Sequence, residues 1–306
     1  MTTRSPLPAI SLPAEAQTDS VQNPEADRPK ISIVISAYNR PAPLIEAVAS
    51  ALGQTYPNKE VIVVDDCSPV DLKAALAQFG DRIVYHRKAT GSGPSGTRNV
   101  GVKIASGDYV AFLDDDDIWL SNKLEVQLAA MGASDASVCG FSVLETGRLV
   151  VRPVTSIDTE MLLYGNKFAG TTGFMAKRAR LLAEPFDEAL RWGEDWDIYV
   201  RYSQKEPLVY VPQPLFQRRT GNTDSITKSL KKVETGKEEL FIMSLKKHRA
   251  LLGETVFRRR VAGIKLSNLK HKDDKASIIW DCMKSAGTLP TIWWLAYKTM
   301  RGDARV

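Results

Sequence analysis

The sequence predicts an α/β protein, a mostly parallel sheet flanked by helices and followed by a helical C-terminal extension. Three observations lead to this class. Short β-branched runs alternate four times with segments of helical period between residues 31 and 131. The connections between them are short, and a glycine closes most of the helical segments. Polar and acidic residues gather after the strands, the edge at which open α/β sheets bind ligands.

Taken in order, Ile31–Ser36 reads as a buried strand. Pro41 then opens a helix with Leu44, Ile45, Val48, Ala49 and Leu52 on one face, stopped by Gly53. Val61–Val64 is a second strand, and Leu72–Phe79 a helix ended by Gly80. Arg82–His86 is a third strand, Thr97–Ala105 a helix before Gly107, Tyr109–Leu113 a fourth strand, and Leu120–Met131 a helix. Beyond residue 136 the pattern loosens. Ser137–Leu144 and Arg148–Val151 are expected to form a hairpin, Thr172–Ala176 a strand, and Glu194–Tyr202 a helix. From Lys231 onward apolar and basic residues recur at helical spacing. Residues 1–29, rich in Pro, Ala, Ser and Thr, read as a flexible tail.

Composition narrows the class further. With 43% hydrophobic and 25% charged residues the chain has the balance of a globular enzyme. Cys67, Cys139 and Cys282 are far apart and odd in number, which argues against a disulfide framework or a structural zinc site and for a reducing compartment. His86, His248 and His271 have no metal-ligand spacing, and no apolar run reaches the length of a membrane-spanning helix. The net charge of +5 is unevenly spread: residues 201–306 hold 22 Lys and Arg against 10 Asp and Glu, and the first 200 hold 19 against 26. The basic half suits a polyanion or an anionic lipid surface, or simply solvated helix faces.

Two segments carry chemistry. Gly91 to Gly96 matches G-x-G-x-x-G, but it follows the third strand rather than the first, so a dinucleotide fingerprint is disfavoured. It reads better as a flexible loop leading to a helix that presents Arg98 and Asn99. Arg98 there can meet a nucleotide's carbonyl or phosphate, or pair with a nearby carboxylate. Asp114 to Asp117 are four successive acids after a buried strand. Their mutual repulsion calls for a balancing cation, and hard oxygen donors suit Mg²⁺ or Mn²⁺. If the extended chain continues, Asp114 and Asp116 face one side and Asp115 and Asp117 the other, with Asp117 a candidate helix cap.

The segments Val34–Asn39, Val63–Ser68, Gly96–Gly101 and Phe112–Asp117, with the later Trp192–Asp197, resemble in order and spacing the inverting glycosyltransferases of family 2, which have the Rossmann-like GT-A fold. The resemblance covers about residues 31–220. It implies a glycosyltransferase domain over 30–220, with a nucleotide-binding half to about 131 and an acceptor half over 132–220, and a basic helical region over 221–306. It implies a nucleotide-sugar donor of UDP type, with Ser36 and Tyr38 lining the base pocket, Asp66 accepting from uracil or ribose, and Arg98 on the base or diphosphate. Asp114 and Asp116 form the Asp-x-Asp pair for Mn²⁺ or Mg²⁺, Asp116 as the direct ligand, and Asp115 or Asp114 reaches the ribose. Asp195 is the implied base, Glu194 orients the acceptor, and Trp192 and Trp196 belong to the acceptor site, Trp196 stacking beneath it. The acids of Glu194 and Asp195 also suit the first turn of a helix through its dipole.

Processive members carry Gln-x-x-Arg-Trp. Gln217–Asn222 lacks the tryptophan, so transfer of a single sugar to a saccharide or lipid-linked acceptor, in bacterial polysaccharide or glycan biosynthesis, is the expectation. The Arg218–Thr227 loop is a candidate to close over the diphosphate. Trp293, Trp294 and Tyr297 beside basic residues suggest peripheral docking of a cytoplasmic enzyme on an anionic membrane, or else core packing. A nucleotidyltransferase acting on sugar phosphates is the alternative enzyme, though Ser36–Arg40 offers it one arginine only. A nucleic-acid-binding protein is the alternative non-enzyme, and it leaves the aspartates unexplained; nucleic acid is not an expected partner.

Overall fold

The structure, a computed structural model, describes residues 28–220, 239–267, 269 and 274–300. Residues 1–27 of the expected tail, the 221–227 part of the expected loop, and His271 lie outside them.

The first half alternates as the sequence predicts: β1 (Ile31–Ala37), α1 (Pro41–Leu52), β2 (Lys59–Asp65), α2 (Leu72–Ala75), β3 (Val84–Arg87), α3 (Gly93–Ile104) and β4 (Tyr109–Asp114). There follow β5 (Ile118–Trp119), α4 (Lys123–Met131), β6 (Ala136–Val143), β7 (Leu149–Val150), β8 (Ser156–Ile157), α5 (Thr159–Leu162), β9 (Phe174–Lys177), α6 (Arg178–Ala183), α7 (Glu194–Ser203) and β10 (Leu208–Arg218). The C-terminal helices are α8 (Glu239–Lys247), α9 (Arg249–Lys265), α10 (Lys275–Ala286) and α11 (Thr288–Met300).

Among the described residues the strands form one mixed sheet in the order β3-β2-β1-β4-β9-β6-β10-β5, with β7 added to β6 and β8 to β10. β1 pairs in parallel with both β2 and β4, so its C-terminal end lies between theirs. Ser36 is in register with Asp114, and Ala37 with Asp65. β1 is solid core: Ile31, Ile33, Val34 and Ile35 are fully buried, as a central parallel strand covered on both faces must be. α3 packs on it at Gly101, where a Cβ would stand 2.3 Å from a Val34 methyl carbon; only a bare backbone allows that approach.

Several expectations are corrected. The helix expected over Leu72–Phe79 stops at Ala75 and gives way to a 3-10 segment, Ala77–Arg82, that bends at Gly80 (φ 50°). The glycine stretch is not wholly a loop: α3 begins at Gly93, with Pro94 in its first turn, where the missing N–H costs nothing. The helix expected from Leu120 begins at Lys123, because Ile118 and Trp119 pair with β10. β6 and β7 form the expected hairpin. β10 is eleven residues long and was not foreseen; its ladder with β6 slips beside Pro214, a residue that lacks the donor a regular ladder needs.

Candidate functional site

The C-terminal ends of β1, β2 and β4 bring three polar loops to one rim. Two of these loops hold residues with left-handed backbone, Asn39 (φ 55°) and Cys67 (φ 63°). Non-glycine residues seldom take this shape unless their surroundings enforce it. Here the Asn39 backbone N–H donates to the Ser68 hydroxyl at 3.0 Å, and buried Asp65 accepts from the Ser68 N–H at 2.9 Å and from the Tyr85 hydroxyl at 2.7 Å.

The four aspartates do not alternate. The chain turns after Asp114, with the Asp117 N–H donating back to the Asp114 carbonyl at 3.2 Å. Asp115 and Asp116 consequently face the same way, and Arg40 donates to both. Asp115 also accepts from the Tyr38 N–H at 2.9 Å. Asp117 is not a helix cap, since Asn122 precedes α4. Asp117 accepts instead from the Thr172 hydroxyl at 2.7 Å and the Arg219 N–H at 3.0 Å. Burial pushes the Asp115 carboxyl up to about 7 against the pull of Arg40. Burial, and then the charges of Asp114 and Asp116, push Asp117 up to about 8. Added positive charge at this rim would relieve both costs.

Asp66 is engaged by the loop ahead of α3. It accepts from the backbone N–H groups of Ser92 (2.9 Å) and Gly93 (2.8 Å) and from Lys88 (2.5 Å). Burial alone would raise its pKa, but these donors hold it below the ordinary carboxylate range. Ser36 is the penultimate residue of β1, and Tyr38 just beyond the strand is 54% exposed.

Arg98 projects from α3 into the middle of the site and is buried. Its guanidinium donates to Asp114 at 2.8 Å and to Glu194 at 3.0 Å, and lies 5.6 Å from the Phe186 ring centre. Its Nε has no partner in this arrangement. Desolvation alone would raise Asp114, but the Arg98 charge outweighs it and holds that carboxyl low. Glu194 goes the other way: burial, with the nearby Asp195 charge, raises it despite Arg98.

Glu194 and Asp195 stand in the first turn of α7, after Gly193 in a left-handed conformation (φ 74°). Asp195 accepts from the Asn166 side-chain amide at 2.8 Å. Asn166 belongs to the 163–170 loop, which Tyr199 of α7 holds by donating to the Ala169 and Gly170 carbonyls at 3.2 and 3.1 Å. Trp196 lies beneath this turn. It is buried, its indole N–H donates to the Leu162 carbonyl at 2.7 Å, and its ring carries Arg260 at 4.1 Å on one contact and His248 at 5.2 Å on another. No face of Trp196 is left for a sugar. Trp192 packs edge-on to Phe241 of α8 at 5.3 Å.

α7 is in turn anchored to the C-terminal helices. Buried Asp197 meets Arg201 (2.9 Å), Lys247 (2.9 Å) and His248 (2.7 Å). Burial opposes its charge, but His248, Lys247 and Arg201 together hold its pKa down to about 2.

The sequence did not single out Arg40 as a ligand-rim residue, nor Thr171, Thr172 or Asn166, and it offered Arg219 only as part of the Arg218–Thr227 loop expected over the diphosphate. Thr171 donates to Asp114 at 3.2 Å. Arg219, the residue after β10, donates to the Asp116 carbonyl at 3.1 Å and to Glu46 at 2.7 Å. Each meets its partner across 29 to 173 residues of chain, so no local pattern announces it.

A family model described as Glycosyl transferase family 2 matches residues 32–180. An uncharacterized glycosyltransferase of Haemophilus influenzae is 31% identical over 199 residues, 59% of this chain and 67% of that protein. The Escherichia coli UDP-Glc:alpha-D-GlcNAc-diphosphoundecaprenol beta-1,3-glucosyltransferase WfgD is 40% identical over 102 residues. That segment is 33% of this chain, and the chain spans 40% of WfgD. Among solved structures, S. aureus TarS 1-349 in complex with UDP-GlcNAc has the same fold, with a TM-score of 0.59 at 19% identity, over 82% of this chain and 69% of that one.

Proposed function

Because the chain belongs to glycosyl transferase family 2 and is a glycosyltransferase, we propose that it moves one sugar from a UDP-sugar to a saccharide carried on a lipid diphosphate, with inversion at the anomeric carbon. One observation carries this reading. Arg98 joins Asp114 to Glu194, so the strand-end acids and the Asp195 turn share one rim, with donor chemistry on one side and a base on the other. The donor half is assigned to residues 30–131 and the acceptor half to 132–220, and the seam between them is that bridge. The WfgD name supplies the donor and acceptor classes.

In this reading the acceptor hydroxyl oxygen attacks the anomeric carbon from the face opposite the nucleotide. The bond from that carbon to the diphosphate oxygen breaks, and the electron pair leaves with the UDP. Asp195, fixed by Asn166, takes the hydroxyl proton. Glu194, fixed by Arg98, orients the acceptor. Tyr38 offers a ring face to the uracil, with Ser36 behind it, and Asp66 holds the loop that frames the base and ribose. Asp115 is the nearest acid to the Tyr38 loop and is assigned to the ribose.

The acids also fit a divalent cation of a particular kind. Among the described residues no three His, Cys, Asp or Glu side chains are placed as a closed cage. Mg²⁺ or Mn²⁺ held by one or two carboxylates and completed by substrate phosphates needs no such cage. Asp116, on the turn with Asp114 behind it, is the assigned ligand. Arg40, which now bonds to Asp115 and Asp116, is the group that must yield. A cation bound there supplies positive charge to the departing diphosphate.

Membrane contact is assigned to the last two helices. No described helix is long and apolar enough to cross a bilayer. Trp280 of α10 and Trp293 of α11 are nonetheless exposed, and each carries a cation, Lys284 at 5.3 Å and Arg259 at 4.9 Å. Aromatic and basic residues in company suit an anionic lipid surface.

The test is transfer from UDP-glucose and other UDP-sugars, with Mn²⁺, to a synthetic GlcNAc-diphospholipid, the product read by proton NMR. An α-linked donor should give a β-linked product. An α-linked product would overturn the inverting assignment, and no transfer from any UDP-sugar would overturn the donor assignment.

A further inference from the structure

Arg260 is a half-buried guanidinium without an acid. Among the described residues no carboxylate is paired with it, and desolvation is the only influence on its charge. It donates to the Leu163 carbonyl at 3.2 Å and lies 4.1 Å from the Trp196 ring centre. Burial with no counter-ion lowers its pKa to about 10. A cation taken out of water is costly unless an anion meets it, and one carbonyl and one ring face are weak compensation.

Its position tells where that anion belongs. Trp196 directly follows Asp195. Leu163, and Gly165 (φ 110°), whose Cβ would stand 3.7 Å from an Arg260 guanidinium nitrogen, belong to the loop whose Asn166 bonds to Asp195. By two separate contacts, at Trp196 and at Leu163, Arg260 touches the elements that hold the assigned base. Lys167 adds a second positive group on the same loop, 5.9 Å from the exposed Tyr164 ring. On the other side, Arg259 sits over exposed Trp293. Consecutive residues of α9 thus touch the Asp195 turn and the aromatic face of α11.

We infer that Arg260 is a binding residue for the diphosphate of the acceptor. The inference deepens the proposed function and rests on its acceptor side. When the sugar that attacks carries a diphosphate on its own anomeric carbon, the base and the diphosphate are one sugar ring apart. A cation set on the elements that hold the base is then placed for the diphosphate, and the lipid beyond it runs toward Trp293. Arg260 suits this role because a planar guanidinium grips phosphate oxygens in pairs.

The probe is farnesyl diphosphate, titrated calorimetrically into the full chain with EDTA and saturating UDP, so that the donor side is filled. Farnesol and inorganic pyrophosphate are titrated alongside. Wild type should bind farnesyl diphosphate and not farnesol. Arg260→Met should weaken that binding about ten- to a hundredfold, the range of a charged hydrogen bond, and Arg260→Lys should recover part of it. Equal binding of pyrophosphate and farnesyl diphosphate supports the residue and places recognition in the diphosphate alone. Unchanged affinity in Arg260→Met, or no binding of either diphosphate by wild type, overturns the inference. UDP affinity, measured first with Mn²⁺ in each variant, reports separately on folding and on the donor reading.

Discussion

The guanidinium of Arg98 stands 3.0 Å from Glu194, a residue 96 positions further along the chain, and 2.8 Å from Asp114 at the end of β4. One side chain therefore fixes the distance between the strand-end acids and the turn that holds Asp195. Arg98→Met should destabilise the fold by roughly the lower part of the 3–5 kcal/mol typical of breaking a buried pair, since Asp114 is partly open to water. Arg98→Lys should recover little, because an ammonium cannot fork between two carboxylates. Denaturant unfolding reads both, and an Arg98→Met variant as stable as wild type would show the bridge to be idle.

Arg98 also marks how far the sequence could be read. Four strand–helix units and the acidic edge were legible because each is a local pattern, with a β-branched run, a helical period and a glycine stop. Arg98 itself was singled out from its place after the glycine stretch. Its partnership with Glu194 was open, since pairing to a carboxylate was only one of its readings. The facing of Asp115 and Asp116 was misread because alternation assumes an extended chain, and a turn sets in at Asp115. β10 was missed because Pro212 and Pro214 argue against a strand interior. Arg40, Thr172 and Asn166 carried no signal, as their partners are brought to them by tertiary folding alone.

Asp195 and Asn166 should separate chemistry from positioning. Asp195→Asn is expected to lower the turnover of sugar transfer by about 10²–10⁴-fold, the share of a general base, with UDP affinity unchanged. Asn166→Ala leaves the carboxylate but frees its orientation. It should lower turnover by about tenfold to a hundredfold with little change in acceptor KM, as a displaced catalytic group does. Wild-type turnover in Asp195→Asn would remove it from the role of base.

Asp116 and metal are linked by a different test. Asp116→Ala should weaken UDP binding in Mn²⁺ by about tenfold or more, the loss of one charged ligand contact. In EDTA the same variant should match wild type. Calorimetry in both buffers reads the difference, and equal losses with and without Mn²⁺ would mean that Asp116 acts on the nucleotide and not through a cation.

Lys123 gives the fold a pH signature away from the site. It is fully buried, donates to Gln127 at 2.6 Å and lies 4.0 Å from the Trp119 ring centre. Burial lowers its pKa from 10.5 to about 8. Below pH 8 it is charged in both states, and the folded state bears the whole cost. Between about 8 and 10.5 the unfolded chain binds more protons, so stability should rise with pH across that window. Lys123→Met lacks the titration. Its stability advantage over wild type should shrink by on the order of 3 kcal/mol between pH 8 and 10.5. A difference that stays flat over that window would show that the ammonium is not the group responsible.

The aromatic face of α10 and α11 makes the last prediction. Leu289 is 81% exposed, Trp280 60% and Trp293 45%. With Lys284 and Arg259 set against the two indoles, the face combines insertion with charge attraction. Vesicles rich in phosphatidylglycerol should float the protein at low salt, and about 0.5 M salt should release most of it, since screening shortens the reach of each charge to a few ångströms. Trp280→Ser with Trp293→Ser should reduce flotation at low salt and leave UDP affinity intact, because neither indole touches the Asp195 rim. Flotation that is equal in wild type and the double variant would place the membrane contact elsewhere on the chain, and no flotation at low salt would remove it.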